Sequence, residues 1–487
     1  MLPVELDELI EKIISQKCET QNIEIKKAGK GIPEKLYDTF SGFSNQMNGG
    51  IIVFGIDEKN DFEVTGVYDA QDLQVKVTNA ALQMEPVVRP FFTVTNYKGA
   101  IVVSAEIPEC SSDEKPCFYK PAGRIRGSYV RVGDADLPMS EYEVYSYEVY
   151  KKKIRDELRT VDRSNKEDLN KDVLVTYFSK LKLEKPHLSK LDEDKILQLQ
   201  GITSNEKPTI AGLMLACDYP QAFCPQLGIT AMVVDGTEIG TVGKSGERFI
   251  DSKRFEGAIP DMLEGALAFV NRNMKRSVII DNAGKRADKT EYPIIAVREI
   301  ILNALIHRDY SIYTEDLPIR VIMYSDRLVV ENPGGLYGRL TVNDLGKEPA
   351  DTRNPFIAGN LEIMIDTENR FSGIPTICEE MKKSGLEPPL FESERGRFSV
   401  TLYNSNHNEK NFCSNEGSGM LQEEILNYCQ RPRTKDEIAE MLNIKSSYYV
   451  VTKYINPLID EGKLMLTIPE KPKSKYQKYF SGLQSKS

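Results

Sequence analysis

The decapeptide CETQNIEIKK at residues 18–27 sets Glu19 and Glu24 beside Lys26 and Lys27, and a third acid, Asp57, follows in IIVFGIDE. Carboxylates drawn together repel by about 4 kcal/mol per close pair at an effective dielectric near 20, so a cluster of three calls for a cation. Mg2+ or Mn2+ would serve: such an ion makes hydroxide from water and neutralises a phosphate under attack, while Lys26 stabilises the charge that develops. The alternative is a row of solvent-facing acids paired with lysines for little energy. Strand alternation puts Ile23 and Ile25 on one side and Glu24 and Lys26 on the other. Glu19 reaches the side of Glu24 only if the chain turns ahead of the strand. Asp57 comes at the carboxyl end of an apolar strand, where ligands gather on α/β sheets.

A second constellation lies in REIILNALIHRDYS, residues 298–311, where Glu299 and Asn303 stand four apart on one helical face. An acid and an amide so placed orient a water and complete the shell of a nucleotide-bound Mg2+, unless they are an ordinary surface pair. Arg124, Arg126 and Arg131, interleaved with Tyr119 and Tyr129, offer phosphate and stacking contacts or else form a solvated edge. The glycines of NQMNGG suit a tight turn better than a phosphate cradle. His307 reads as a packing or capping residue.

These groups need a frame to hold them. Residues 1–14 read as a helix with Leu6, Leu9, Ile10 and Ile13 on one face, and Asn22–Lys26 as a strand. A helix is expected from Pro33, and IIVFGI and AIVVSAEI read as strands buried on both faces. The expected domains are 1–148, a helical connector 149–204, 205–403, a polar linker 404–419, and 420–487. In the last, the capping box Thr434/Glu437 opens one helix, Ser446–Glu461 forms another, and KLMLTI forms a strand, the layout of a winged helix-turn-helix. Lys453 is one of few cations on that second helix, whereas the tail is rich in lysine.

Composition narrows the class. A chain of 487 residues is too long for one core, and 40% hydrophobic with 28% charged residues describes a globular protein. No apolar run is long enough to span a bilayer, and the acidic N-terminus is unlike a signal peptide, so no membrane partner and a cytoplasmic location are expected. Eight scattered cysteines and three histidines fit neither a disulfide framework nor a zinc knuckle. A net charge of −10 argues against non-specific coating of nucleic acid but leaves local basic patches free to bind it.

CETQNIEIKK, GIPEKLYDTFSGFSNQMNGGIIVFGIDE and YKPAGRIRGSYVRVGDADLPMSEYE together resemble the AlbA-like domain of the Schlafen family over roughly residues 15–145. The resemblance implies that Glu19, Glu24 and Asp57 are the metal ligands of a ribonuclease site acting on transfer RNA, although many prokaryotic members are known only as DNA-binding regulators. Likewise EIILNALIHRDYS, RLVVENPGGL, RNPFIAGNL and FSGIPTICEEMKKSGLEPPLFE resemble the ATP-binding domain shared by gyrase and histidine kinases, over about residues 205–402. That resemblance implies a GHKL-like α/β sandwich. Glu299 would be the general base, Asn303 the Mg2+ ligand, and Asn332 the adenine reader in place of an Asp. Gly334 and Gly335 would allow close approach, Arg353 and Asn354 would sit at the lid, and Ser372 and Gly373 near the phosphates.

The expectation is therefore an α/β (α+β) multidomain protein that binds ATP with Mg2+ or Mn2+ and engages nucleic acid, structured RNA or DNA, as a homo-oligomer. Lys27, Arg124, Arg126, Tyr129, Arg131 and Lys453 are the candidate nucleic-acid contacts. A metal-dependent endoribonuclease acting on structured RNA such as tRNA, in phage or stress defence, leads. A non-catalytic, ATP-responsive DNA-binding transcriptional regulator is the alternative.

Overall fold

A computed structural model describes the chain except residues 34, 241–248, 281–285, 350, 366–372, 395, 406–423, 443, 445–446, 461, 470–473, 475–476 and 482–487, and except the side chains of 277–280, 286–288, 448–449, 452–453 and 460. Ser372 and the Lys453 side chain thus lie outside the described residues. Contacts divide the chain into Met1–Leu402 and Tyr403–Ser487.

The chain is mixed α/β. Its first lobe holds a four-stranded sheet in the order Ile23–Lys26, Gly50–Phe54, Ala100–Ile107, Phe91–Tyr97, with the first pair parallel and the others antiparallel. The apolar run IIVFGI makes sense on this sheet, because both faces are covered. Val53, with Ile23, Ile25 and Val102, packs against Leu6, Ile10 and Ile13 of the helix Pro3–Gln16. Ile52 and Phe54 meet Phe40 and Phe43 of the helix Tyr37–Asn45 and Leu73 and Val77 of Ala70–Ala81 on the other face. Burial on both faces removes the polar positions that alternation would otherwise leave.

The second helix begins at Tyr37, later than the expected start at Pro33, with Leu36 turned into the core at its N-cap. The MNGG turn takes positive φ at Asn48 (63°) and Gly49 (64°), and a Cβ on Gly49 would lie 2.0 Å from the Ile107 carbonyl oxygen. Asn48 N donates to Glu109 Oε2 at 2.7 Å, so that amide serves the fold.

The second lobe holds a six-stranded sheet: Asp251–Phe255, Ile229–Val233, Ile319–Met323, Arg327–Pro333, Arg397–Tyr403, Leu390–Glu394. Alternate residues Ile229, Ala231, Ile319, Val321, Met323, Leu328 and Val330 join one core with the helices Ile259–Asn273, Ile294–His307 and Gly373–Lys383. Helices on one face of the sheet leave the carboxyl end of Arg327–Pro333 beside Ile294–His307. The helix Glu141–Lys152 precedes this lobe in the chain, opened by a Ser140/Glu143 capping box.

In Tyr403–Ser487 the Thr434/Glu437 capping box is present, with Thr434 N donating to Glu437 Oε2 at 2.7 Å. The expected helix Ser446–Glu461 is broken in character: Ser447–Val450 is α-helical, Val451–Ile455 is a wide π turn, and Asn456–Asp460 is α-helical again. Pro457 explains this, since it has no N–H for the regular ladder and its ring crowds the preceding turn. The strands Arg433–Thr434, Lys478–Ser481 and Leu464–Leu466 form a three-stranded sheet in that order.

Candidate functional site

The chain does turn ahead of the first strand. Thr20 and Ile23 form an isolated antiparallel bridge, with Ile23 N donating to Thr20 O at 3.1 Å. Glu19 is thereby carried back along the strand, where its Oε1 accepts a hydrogen bond from Ile25 N at 2.7 Å. Burial, and next the negative charge of Glu24, push the Glu19 carboxyl up to about 7; the Ile25 N–H opposes them, and Glu58 adds to the rise. Glu19 and Glu24 therefore come together.

Glu24 is buried and already has cations of its own. Lys26 Nζ donates to Oε1, and Arg131 Nη2 lies 2.8 Å from Oε2. Burial works against the Lys26 charge, but the Glu24 contact raises its pKa nonetheless. The Arg131 contact is off the hydrogen-bond direction, so Oε2 remains a buried carboxylate oxygen that accepts no hydrogen bond. Asp57 does not close the triangle. It is bonded by Lys27 Nζ, and among the described residues no three His, Cys, Asp or Glu side chains stand where they could share a metal ion. Among the described residues the expected three-carboxylate arrangement is thus present only as the pair Glu19–Glu24, and Asp57 is paired with Lys27.

Two of the expected phosphate-binding arginines serve the fold. Arg131 has 1% of its side chain exposed; it reaches Glu24 and, at 3.3 Å, Asp136 Oδ2, and its guanidinium lies over the Phe43 ring. Half-buried Arg124 pairs with Glu148 and lies over Phe118. Arg126 is exposed. Tyr129 is half-buried, 5.9 Å edge-on from Tyr37, which itself stacks on Tyr119 at 4.5 Å. Sequence reasoning missed Tyr37, whose only signal is a tyrosine at the start of an amphipathic helix.

The second lobe encloses a cavity of about 410 Å³, lined by Glu299, Asn303, His307, Asn332, Tyr337 and Gly373 among others. Glu299 and Asn303 are brought together by helical spacing, with Arg298 Nη1 3.5 Å from Glu299 Oε1, and burial raises the Glu299 pKa. Gly373 closes over both: a Cβ there would lie 2.9 Å from Asn303 Nδ2 and 3.3 Å from Glu299 Oε2. Asn332 is buried, and its Oδ1 has no hydrogen-bond partner among the described residues. Gly334 takes φ +99° beside it, where a Cβ would come within 2.6 Å of Asp309 Cβ. Burial pushes His307 down to about 4, so a neutral imidazole, not merely a packing residue, faces the cavity.

Arg353 and Asn354, expected at a lid, are bonded within the fold. Arg353 Nη1 pairs with Asp309 Oδ2 at 2.6 Å, and Asn354 Nδ2 donates to the carbonyls of Ile306 (2.8 Å) and Arg308 (2.7 Å). Asn354 is buried because it meets carbonyls that the end of the helix Ile294–His307 leaves unpaired. Asp309 holds this corner. Despite burial, the Arg353 guanidinium keeps its carboxyl below the ordinary range.

Residues 19–140 match the family model "Schlafen, AlbA_2", and residues 316–402 match "Putative ATP-dependent DNA helicase recG C-terminal". Residues 423–480 match the C-terminal domain of "Filamentation induced by cAMP protein Fic-like", where a winged helix was expected. No curated protein matches the chain. Among solved structures, the chain is similar to the DIP2311 protein from Corynebacterium diphtheriae at 19% identity and a TM-score of 0.37, covering 82% of this chain and 80% of that one. It is also similar to the N-terminal domain of a "Putative ATP-dependent DNA Helicase RecG-related Protein" from Nitrosomonas europaea, at 22% identity and a TM-score of 0.23, covering 28% of this chain and 92% of that one. At these TM-scores neither structure bears on function. The first lobe is thus similar to the Schlafen AlbA_2 model and the later part of the second lobe to the recG C-terminal model, each over a part of the chain.

Proposed function

We propose that this protein binds ATP in the second-lobe cavity and engages structured RNA, such as tRNA, through the first lobe, where Glu19 and Glu24 support metal-dependent cleavage. The observation that carries the nucleotide reading is the buried Asn332 Oδ1, an acceptor with no partner among the described residues, on a residue that lines the cavity with Glu299 and Asn303. A buried acceptor left unmet costs about 1–3 kcal/mol, and the exocyclic amino group of adenine relieves that cost. Glu299 would take a proton from water, Asn303 would be the residue to hold a nucleotide-bound Mg2+, and Gly373, lacking a side chain, leaves room beside both.

In the first lobe the acid pair would offer a divalent cation two ligands, supported by the closeness of Glu19 and Glu24, which helps raise the Glu19 carboxyl, and by a Glu24 Oε2 that accepts no hydrogen bond though Arg131 lies 2.8 Å away. Such an ion, when bound, supplies a nucleophilic hydroxide and neutralises phosphate charge. Lys26 adds positive charge beside the pair, Lys27 engages the backbone of the nucleic acid, and Arg131 fixes the direction of Glu24. Arg126 and the tyrosines Tyr37, Tyr119 and Tyr129 extend the contact surface.

Calorimetry with ATP and a cleavage assay on tRNA with Mn2+ or Mg2+ test the two halves separately. Nucleotide binding at micromolar to millimolar concentration is expected, with cleavage lost in Glu19→Gln. Absence of binding ends the first claim, and a Glu19→Gln variant as active as the parent ends the second. Glu19 is the better target, since removing Glu24 strands buried Arg131. The alternative, an ATP-responsive DNA-binding regulator, draws on the helices and three-stranded sheet of Tyr403–Ser487. Retention of a promoter fragment that depends on Lys453, without tRNA cleavage, would favour it.

A further inference from the structure

The wall of the nucleotide cavity is backed by residues that precede the second lobe in the chain. Along the helix Glu141–Lys152 and the turn after it, side chains meet one stretch of the second lobe in succession. Tyr142 Oη donates to Asp309 Oδ2 at 2.8 Å. The same oxygen receives Arg353, whose Nη2 donates to Gly335 O at 3.1 Å. Tyr150 Oη donates to Asp351 Oδ2 at 3.1 Å, and its ring meets Tyr337 edge-on at 5.4 Å. Arg155 Nη1 donates to the carbonyls of Thr352 (3.2 Å) and Arg353 (3.0 Å). Fully buried Glu157 then accepts from Phe356 N (3.1 Å) and Ile357 N (2.8 Å).

Gly335, Tyr337, Asp351 and Thr352, the groups held in this way, all line the cavity. The helix has another side. At about 100° per residue, Glu148 falls away from Tyr142 and Tyr150, and there it pairs with Arg124, which lies over Phe118 of the first lobe. One short helix thus carries a nucleotide wall on one side and the first lobe's arginine segment on the other.

We propose that Tyr142, Tyr150 and Arg155 are positioning residues of the nucleotide cavity, and that through this helix ATP occupancy and RNA binding at the first lobe are thermodynamically linked. The inference rests on the functional reading above. A ligand that draws on Gly335, Tyr337 or Asp351 changes what the helix can bond to. The helix moves as a unit, so Arg124 and the segment around it feel the same change. Linkage is reciprocal: if ATP alters the RNA affinity by some factor, RNA alters the ATP affinity by that factor.

The experiment measures the Kd of labelled tRNA for the full chain, by fluorescence anisotropy in Ca2+, with and without a saturating non-hydrolysable ATP analogue. Calorimetry gives the analogue's Kd with and without tRNA. The wild type is expected to show a factor of about five or more, the lower end of usual couplings, equal in both measurements. Tyr142→Phe combined with Tyr150→Phe keeps both rings and removes only the two hydroxyls. It should weaken the analogue about three- to tenfold, leave the nucleotide-free tRNA Kd within threefold, and bring the factor below two. Arg155→Lys, which loses its reach to both carbonyls, should act in the same direction and serves if the double variant does not fold. A merely structural role would lower Tm while leaving the factor intact. A wild-type factor of one, or a wild-type factor retained in the variants, overturns the linkage. If analogue or tRNA fails to bind at all, the functional reading fails and the linkage with it; if both bind with a factor of one, only the linkage fails.

Discussion

The acid cluster of the first lobe and the cavity of the second use similar side chains and treat them in opposite ways. Around Glu24 the chain supplies its own cations, Lys26 and Arg131, and it supplies Lys27 to Asp57. Around Asn332, a residue lining the cavity, no described residue donates to the buried Oδ1 atom. Charges compensated within the fold are weak witnesses to a ligand, since breaking them harms stability as readily as function. An unmet buried acceptor is a stronger witness, because folding alone gains nothing from leaving it so.

Four measurements would break or sharpen this contrast. The largest effect belongs to Arg131→Ala, which leaves Glu24 and Asp136 buried without their shared partner. It should cost about 3–5 kcal/mol in chemical denaturation, and a loss below 1 kcal/mol would show the cluster to be less self-contained than described. Next comes Asn332→Leu, which removes the unmet acceptor and fills its space. ATP affinity should fall about 30-fold, near 2 kcal/mol, while Asn332→Asp should hold it close to the parent.

Third is the pH dependence of Mn2+ binding at the acid pair. The Glu19 carboxyl, pushed up to about 7, must lose its proton to become a ligand. Below that pH the proton competes, so affinity should rise up to about tenfold per pH unit from 5.5 toward 7 and then level. The slope should vanish in Glu19→Gln. A flat profile in the parent would remove Glu19 from the metal reading. The smallest effect is Arg126→Ala, at the exposed member of the arginine trio. It should weaken tRNA about threefold and lower the salt slope by roughly one.

How much of this was legible in the sequence depended on whether neighbours in space were neighbours in the chain. Glu299 and Asn303 share a helical face by spacing alone, and the capping box at Thr434 and Glu437 is local too. Alternation likewise placed Glu24 with Lys26. Arg131 looked like a phosphate ligand because nothing in its own segment shows that Glu24, more than a hundred residues earlier, lies against it. Arg353 and Asn354 looked like lid residues for the same reason: their partners Asp309, Ile306 and Arg308 arrive from a distant helix end. The helix start was misread at Pro33, since the pull of Leu36 into the core is a tertiary effect. Tyr142, near the end of the expected first domain, and Arg155, in the expected helical connector, gave no sign of a role in the second lobe.

The hydrogen bond from Ile25 N to Glu19 has a consequence for how copies of this chain coexist. The strand Ile23–Lys26 is outermost in its sheet, and an outermost strand with free amides invites a foreign strand to pair with it. The Thr20–Ile23 bridge occupies one position of that margin and the Glu19 carboxylate occupies the next. Glu19 thus blocks would-be pairing partners by occupancy and, above about pH 7, by charge as well. Its loss opens a route to edge-to-edge aggregation, which light scattering would register.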